Sequence, residues 1–173
     1  LKDDYRNKLF AEMKLPALNV SLDKEDNQEK WAQGKKQIME HILKNAAKLP
    51  VYVSVSAISQ FEEDYAANLF LTGLAYKYQE NSFDNISIIR RNYEKRYLLD
   101  YLKENFSFNM MNKHAENFDG MYLPSMLKLY RHYEESEEVF KMQELLKLIQ
   151  AIGERSGRQN EVQEFLDKSK SNR

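Results

Sequence analysis

The chain has no cysteine, which excludes disulfides and thiolate metal sites. Glycine and proline are sparse, five and three among 173 residues, so little of the chain is left for loops and helix is favoured. No apolar run approaches the roughly 18 residues that a membrane-spanning helix needs, and no segment reads as a signal peptide. An excess of either charge is also missing. The 26 basic and 27 acidic side chains leave a net charge of -1, which gives no global attraction for nucleic acid or an anionic membrane. The first residue is Leu1 rather than Met, which points to a processed product or an excised piece.

What is present reads as a folded, mainly helical protein. Hydrophobic residues make up 42% and charged residues 31% of the sequence. A chain of this size buries roughly 70% of its unfolded surface, enough to fold without a staple. The composition suits one domain over residues 1–173, with a helix-and-strand part at 1–80 and a helical part at 81–173.

Periodicity of 3.6 places the helices. Asp4 to Met13 puts Tyr5, Leu9, Phe10 and Met13 on one side. Glu25 to Lys48, capped by Ser21 or Asp23, carries Trp31, Ile38, Ile42 and Ala46. Asn85 to Asn105, capped by Ser87 or Asn85, carries Ile89, Tyr93 and Tyr97, continued by Leu98, Tyr101 and Leu102. Phe106 to Gly120 reads as a connection with one turn near Met110 and Met111. Leu123 to Glu134 turns Leu123, Met126, Leu127, Tyr130 and Tyr133 inward. The next helix, capped by Ser136, runs to Glu154 with Val139, Met142, Leu145, Leu146, Ile149 and Ile152. A last helix, Gln159 to Lys168, offers Val162, Phe165 and Leu166, and the tail after Lys168 frays.

Two runs have strand character. Val51, Val53 and Val55 alternate with Tyr52, Ser54 and Ser56 after Leu49-Pro50 breaks the preceding helix. Asn68 to Tyr78, containing Gly73 and several aromatics, forms the second. Two isolated strands must satisfy their backbone groups, and each is the nearest partner for the other. The link Tyr133-Glu-Glu-Ser136 is so short that its flanking helices fold back antiparallel. This resembles one tetratricopeptide-type unit, but Leu127 stands where that repeat wants a small residue, and no second copy follows at a period of about 34. The expected fold is therefore α+β, mainly α: a short sheet of two or slightly more strands, packed helices, and a C-terminal antiparallel helical hairpin.

Chemistry-bearing motifs are few. His41, His114 and His132 form no H-x-x-x-H or H-E-x-x-H pattern, so no metal site is assigned. Glu62-Glu63-Asp64 and the acidic group Glu134, Glu135, Glu137 and Glu138 read as solvated faces and caps, the latter favoured by a helix dipole. Arg90, Arg91, Lys95 and Arg96 form the outer face of a helix whose tyrosines point inward. This is a cationic patch rather than a nucleic-acid surface. No nucleophile elbow, phosphate-binding loop or dinucleotide fingerprint occurs, so no catalytic residue and no cofactor is assigned. Tyr52, Phe61, Tyr65 and Tyr76 are aromatics near the junction of strands and hairpin. They are the candidate binding residues, anchors for an extended polypeptide or a glycan.

The order of elements carries one resemblance. A helix leads into Asn45-Ala-Ala-Lys-Leu-Pro-Val-Tyr-Val53, followed by Leu69-Phe-Leu-Thr-Gly-Leu-Ala-Tyr-Lys-Tyr78. A long helix follows, then a connection beginning Phe106-Ser-Phe, and then Leu123-Pro-Ser-Met-Leu-Lys-Leu-Tyr130. This resembles the C-terminal soluble domain of a bacterial family of multi-span membrane proteins that are themselves similar to protein O-mannosyltransferases, much of it labelled a domain of unknown function. Two departures occur: Ala47 to Leu49, just before Pro50, include no Trp or Arg, and Lys77 stands at an arginine position. The resemblance implies a non-catalytic accessory domain of a membrane glycosyltransferase-like protein, on the extracytoplasmic (periplasmic) face of the inner membrane. Its partner would be a polypeptide or glycan acceptor, or the membrane-embedded part of its parent. The alternative is a free-standing helical protein–protein interaction module.

Overall fold

The computed structural model describes residues 3–20, 28–45, 49–100 and 118–171. The fold is α+β and mainly helical, with seven helices and a three-stranded antiparallel sheet among those residues. The chain forms two compact units, Leu1–Tyr52 with Lys77–Glu80 and Val53–Tyr76 with Asn81–Arg173. Residues 53–76 thus belong with the C-terminal helices.

In the smaller unit, helix α1 (Asp3–Glu12) buries Arg6 and Phe10, whereas Tyr5, Leu9 and Met13 are exposed. Its inward face is therefore not the stripe expected from the sequence. The reason lies in the segment that follows. The Arg6 guanidinium donates to the carbonyls of Leu18 at 2.8 Å and Val20 at 2.9 Å, and the Leu18 N–H donates to Asn7 Oδ1 at 2.9 Å. A charged group becomes acceptable inside when backbone acceptors surround it. Helix α1 ends with Lys14 in the left-handed region (φ 58°), where Lys14 N–H reaches Ala11 O and Leu15 N–H reaches Phe10 O. This is a Schellman cap, and Phe10 and Leu15, at the two positions that such a cap makes apolar, are both buried. Helix α2 (Gln28–Lys44) buries Leu43, and His41 stacks on Phe10 with ring centroids 5.1 Å apart. Ala46, like the proposed caps Ser21 and Asp23, lies outside the described residues.

The sheet has the order β1 (Tyr52–Ser54), β3 (Ala75–Tyr78), β2 (Leu69–Leu71). The single run expected over Asn68 to Tyr78 is thus two strands, and its second half is the central one. The fold-back occurs at Thr72–Ala75, where the Thr72 N–H and hydroxyl both donate to Ala75 O at 2.9 Å. Gly73 lies at φ +142°, and a Cβ there would collide with the Tyr97 hydroxyl. Between β1 and β2 the chain makes two 3-10 turns and a short helix α3 (Glu62–Tyr65).

Helix α4 (Asn85–Lys95) is capped by Asp84, whose carboxylate accepts from the Ser87 N–H at 3.1 Å and the Ser87 hydroxyl at 2.5 Å. Neither Ser87 nor Asn85 is the cap: Ser87 is the cap's partner. Asn85 is buried instead and donates to Leu71 O at 2.8 Å. The helix stops at Lys95, before the end that the sequence pattern suggests, and 101–117 lie outside the described residues. Tyr97 leaves the helical path, its N–H bonded to Asn92 O at 2.8 Å, and its ring packs edge-on against Tyr93 and Tyr122.

Helices α5 (Leu123–Glu135), α6 (Val139–Arg155) and α7 (Gln159–Ser171) follow one another through turns of three residues. Both turns are Schellman caps of the same construction. In the first, Glu137 N–H reaches Glu134 O and Glu138 N–H reaches Tyr133 O. In the second, Gly157 N–H reaches Glu154 O and Arg158 N–H reaches Gly153 O. Ser136 therefore closes α5, its hydroxyl donating to His132 O at 2.6 Å, rather than opening α6. Helix α5 is buried along most of its length. Leu123, Ser125 and Met126 are fully buried, and Leu129, Tyr130 and Tyr133 nearly so. From α6, Leu145, Leu148, Ile149 and Ile152 meet it, while Val139 on the expected stripe is exposed. Gly153 lets α7 approach, since a Cβ there would stand 2.9 Å from Val162 Cγ2.

Two substitutions test this geometry. Gly73→Ala should destabilise the protein by about 1–3 kcal/mol, through the strained φ and the Tyr97 collision. Glu137 holds φ 58° with a side chain, where the equivalent turn has Gly157. Glu137→Gly should stabilise by about 0.5–1 kcal/mol. Denaturant midpoints check both, and a shift of the opposite sign at either position refutes the assignment of that turn.

Candidate functional site

The four aromatics singled out in the sequence do not build one groove in the larger unit. Tyr76 packs against its core cluster, and Phe61 just before α3 and Tyr65 at its end are half-buried, joined by a Tyr65 N–H bond to Phe61 O at 3.0 Å. Tyr52 belongs to the smaller unit, 55% exposed. There it lines a hollow of about 230 Å³ with Met13, Leu15, Ile42, Leu49 and Pro50.

The cationic face of α4 is divided. Arg91, Lys95 and Arg96 are exposed, but Arg90 is engaged. Its guanidinium grips Glu138 in two-pronged fashion at 2.7 and 2.9 Å, and its Nε donates to Glu94 at 3.0 Å. Lys141 closes the ring, 2.9 Å from Glu94 and 2.8 Å from Glu138. The Tyr133 hydroxyl donates to Glu94 at 3.0 Å. Two cations and two carboxylates thus neutralise one another where α4 meets the start of α6.

The proton affinities follow from this arrangement. Burial would raise the Glu94 carboxyl, but the hydrogen bonds from Lys141 and Tyr133 and the charge of Arg90 outweigh it and hold it below its ordinary value. The hydrogen bond from Lys141, and then the pairing with Arg90, hold Glu138 down as well. Burial, reinforced by the bond to Glu94, pushes the Tyr133 phenol well up. Each group is fixed in its ordinary charge state at neutral pH. A carboxylate kept ionised by two cations is neither a general acid nor a free base, so the cluster is a fastening rather than a reaction centre.

Beside the cluster lies a groove of about 700 Å³. Leu99, Leu129, Leu145 and Leu148 line it, with Tyr93 and Tyr133 at the cluster end. Its rim is Phe140, Lys141, Glu144 and Lys147. The rim charges are paired: Lys147 meets Glu144 at 2.7 Å, and Lys141 meets the cluster. Phe140 is 77% exposed, and neighbouring Val139 is also exposed.

A second groove of about 540 Å³ runs along α5 and α7, lined by Ile86, Pro124, Leu127, Lys128, Arg131, His132, Glu135 and Phe165. The histidines are structural where they are described. His41 Nε2 donates to Pro16 O at 2.8 Å, His132 is half-buried on α5, and His114 lies outside the described residues. Among the described residues no group of His, Asp and Glu side chains is placed to hold a metal ion, and no helix is long and apolar enough to cross a membrane. The chain matches no protein-family model, no curated protein and no solved structure.

The fastening has a pH signature. Glu94 and Glu138 have depressed values in the fold, so they contribute stability above the ordinary carboxylate range of about 4.3 that is lost as pH falls through their folded values. Glu94→Gln should lower the melting midpoint at neutral pH and flatten its decline between about pH 5 and pH 2. An acid-side slope identical to that of the parent refutes the cluster.

Proposed function

We propose that this chain is a non-catalytic docking domain, the extracytoplasmic accessory part of a membrane glycosyltransferase-like protein, and that the larger unit takes an apolar segment of polypeptide into the groove between α4, α5 and α6. The observation that carries the reading is the groove itself. Its floor is aliphatic, Phe140 stands exposed at its rim, and the rim charges are already paired with one another. A glycan needs unengaged donors and acceptors along its site. This groove offers apolar area instead, the chemistry that binds apolar side chains.

The parent protein and the location rest on the elements quoted from the sequence, Leu49 to Val53, Leu69 to Tyr78 and Leu123 to Tyr130. A free-standing interaction module would use the same groove. The two differ in gene context: about ten apolar spans upstream of Leu1 support the accessory domain, and an initiator Met just upstream supports the free module.

Phage-displayed peptides selected on the purified chain, and a glycan array beside them, test the docking reading. Apolar peptides should be enriched, and Phe140→Ser should weaken their binding about tenfold, the loss of roughly 1.4 kcal/mol of apolar contact, while the exposed position leaves the melting midpoint unchanged. Selection of glycans alone, affinity indifferent to Phe140→Ser, or glycosyl-transfer or hydrolytic turnover by the isolated chain overturns it.

A further inference from the structure

The groove along α5 and α7 differs from the first in its charges. Lys128, Arg131, His132 and Glu135 succeed one another along one face of α5, the spacing at which helical side chains are neighbours. Lys128 Nζ donates to Asn85 Oδ1, a neutral amide, at 3.2 Å. The Arg131 guanidinium lies over the Phe165 ring, 4.8 Å from its centroid. Neither cation has a carboxylate within 4.0 Å among the described residues, whereas Arg90, Lys141, Lys147 and Arg158 all do. Each is nevertheless held in place, one by a hydrogen bond and the other by an aromatic face. Apolar surface from Ile86, Leu127 and Phe165 lies beside them.

We propose that this second groove binds an acidic peptide segment, with one carboxylate bridging Lys128 and Arg131 and an adjacent apolar side chain resting on Leu127 and Phe165. Charge complementarity selects the occupant. Two held cations at the spacing of one helical turn suit a single carboxylate, which accepts a hydrogen bond from each. The same two cations, next to Glu135 and on a chain of net charge -1, are too few for a polyanion such as nucleic acid or an anionic bilayer, whose binding grows with the number of charges neutralised. The apolar walls give a neighbouring side chain somewhere to lie, which inorganic phosphate would not use. This goes beyond the apolar groove, since it names a different occupant at a different face of α5.

The test is fluorescence anisotropy of the full chain with a fluorescein-labelled peptide of alternating Glu and Leu, and with its Gln and Leu counterpart. The acidic peptide should bind about tenfold more tightly, as two charge-assisted hydrogen bonds would give. The double variant Lys128→Gln with Arg131→Gln should abolish that preference, Glu135→Gln should increase it, and Phe140→Ser should leave it intact. Equal affinity for the two peptides, a preference unchanged in the double variant, or no effect of Glu135→Gln overturns the proposal. Binding confined to phosphatidylserine vesicles or to inorganic phosphate overturns it too. Because the preference is read as a ratio, it fails independently of the apolar groove, whose own failure shows in the Phe140→Ser arm.

Discussion

Helix α5 is the element against which the larger unit is assembled, and a backbone constraint puts it there. The turns on either side of α6 are only three residues long, and each satisfies the last carbonyls of its helix through a left-handed residue. Chains reversed that tightly leave α6 lying against both α5 and α7. Helix α4 meets α5 as well, which is why a helix of 13 residues has seven buried ones. Ser125 is among them because a small side chain lets the Tyr93 hydroxyl reach it at 2.6 Å, with Tyr122 O also accepting from that phenol at 3.2 Å. The polar contacts of α4 then fix its rotation: Tyr93 to Ser125 in the middle, Asn85 to Leu71 at the start, and Arg90 with Glu94 toward Glu138 and Lys141 on the outer side.

Both grooves are by-products of that assembly. Two flanks of α5 remain partly open. One flank is closed at its end by mutually neutralising charges and is left with aliphatic area. The other keeps Lys128 and Arg131 with neutral partners only. A single helix thus offers two chemically distinct faces, one aliphatic and one carrying held cations.

The helical half of this architecture was legible because Met126, Leu127, Tyr130 and Tyr133, and Leu145, Ile149 and Ile152, repeat at the helical period and are buried accordingly. The sheet was legible as strand character but not as topology. Nothing between Leu69 and Tyr78 resembles a hairpin signal except Gly73, whose reason is the hydroxyl of Tyr97, a residue just past the end of α4. The length of α4 was misread because Tyr97 and Leu98 continue its apolar spacing, although one packs laterally and the other is 85% exposed. Ser136 illustrates a real ambiguity, since a serine that accepts at the start of a helix and one that donates at the end of the previous helix look alike in a four-residue link. Of the aromatic binding set, Tyr76 packs against the core cluster, a tertiary contact that its place in the sequence does not disclose. The ion cluster joins residues 48 apart, a pairing that no local pattern encodes.

The brevity of those turns also bears on how the protein reaches its native state. The contacts that define α5, α6 and α7 connect neighbours in the chain, and the β2–β3 reversal closes over a handful of residues. Even the β1–β3 pairing, extended by the Val55 N–H bond to Leu74 O, encloses a loop partly filled by its own helical turns. Little loop-closure entropy must be overcome before native contacts begin to reward it, and rates rise as contacts become local. Local contacts of this kind favour early pairing of the C-terminal helices over formation of the sheet. During synthesis the strands emerge before those helices, so they wait, unpaired in part, for the helices that will cover them.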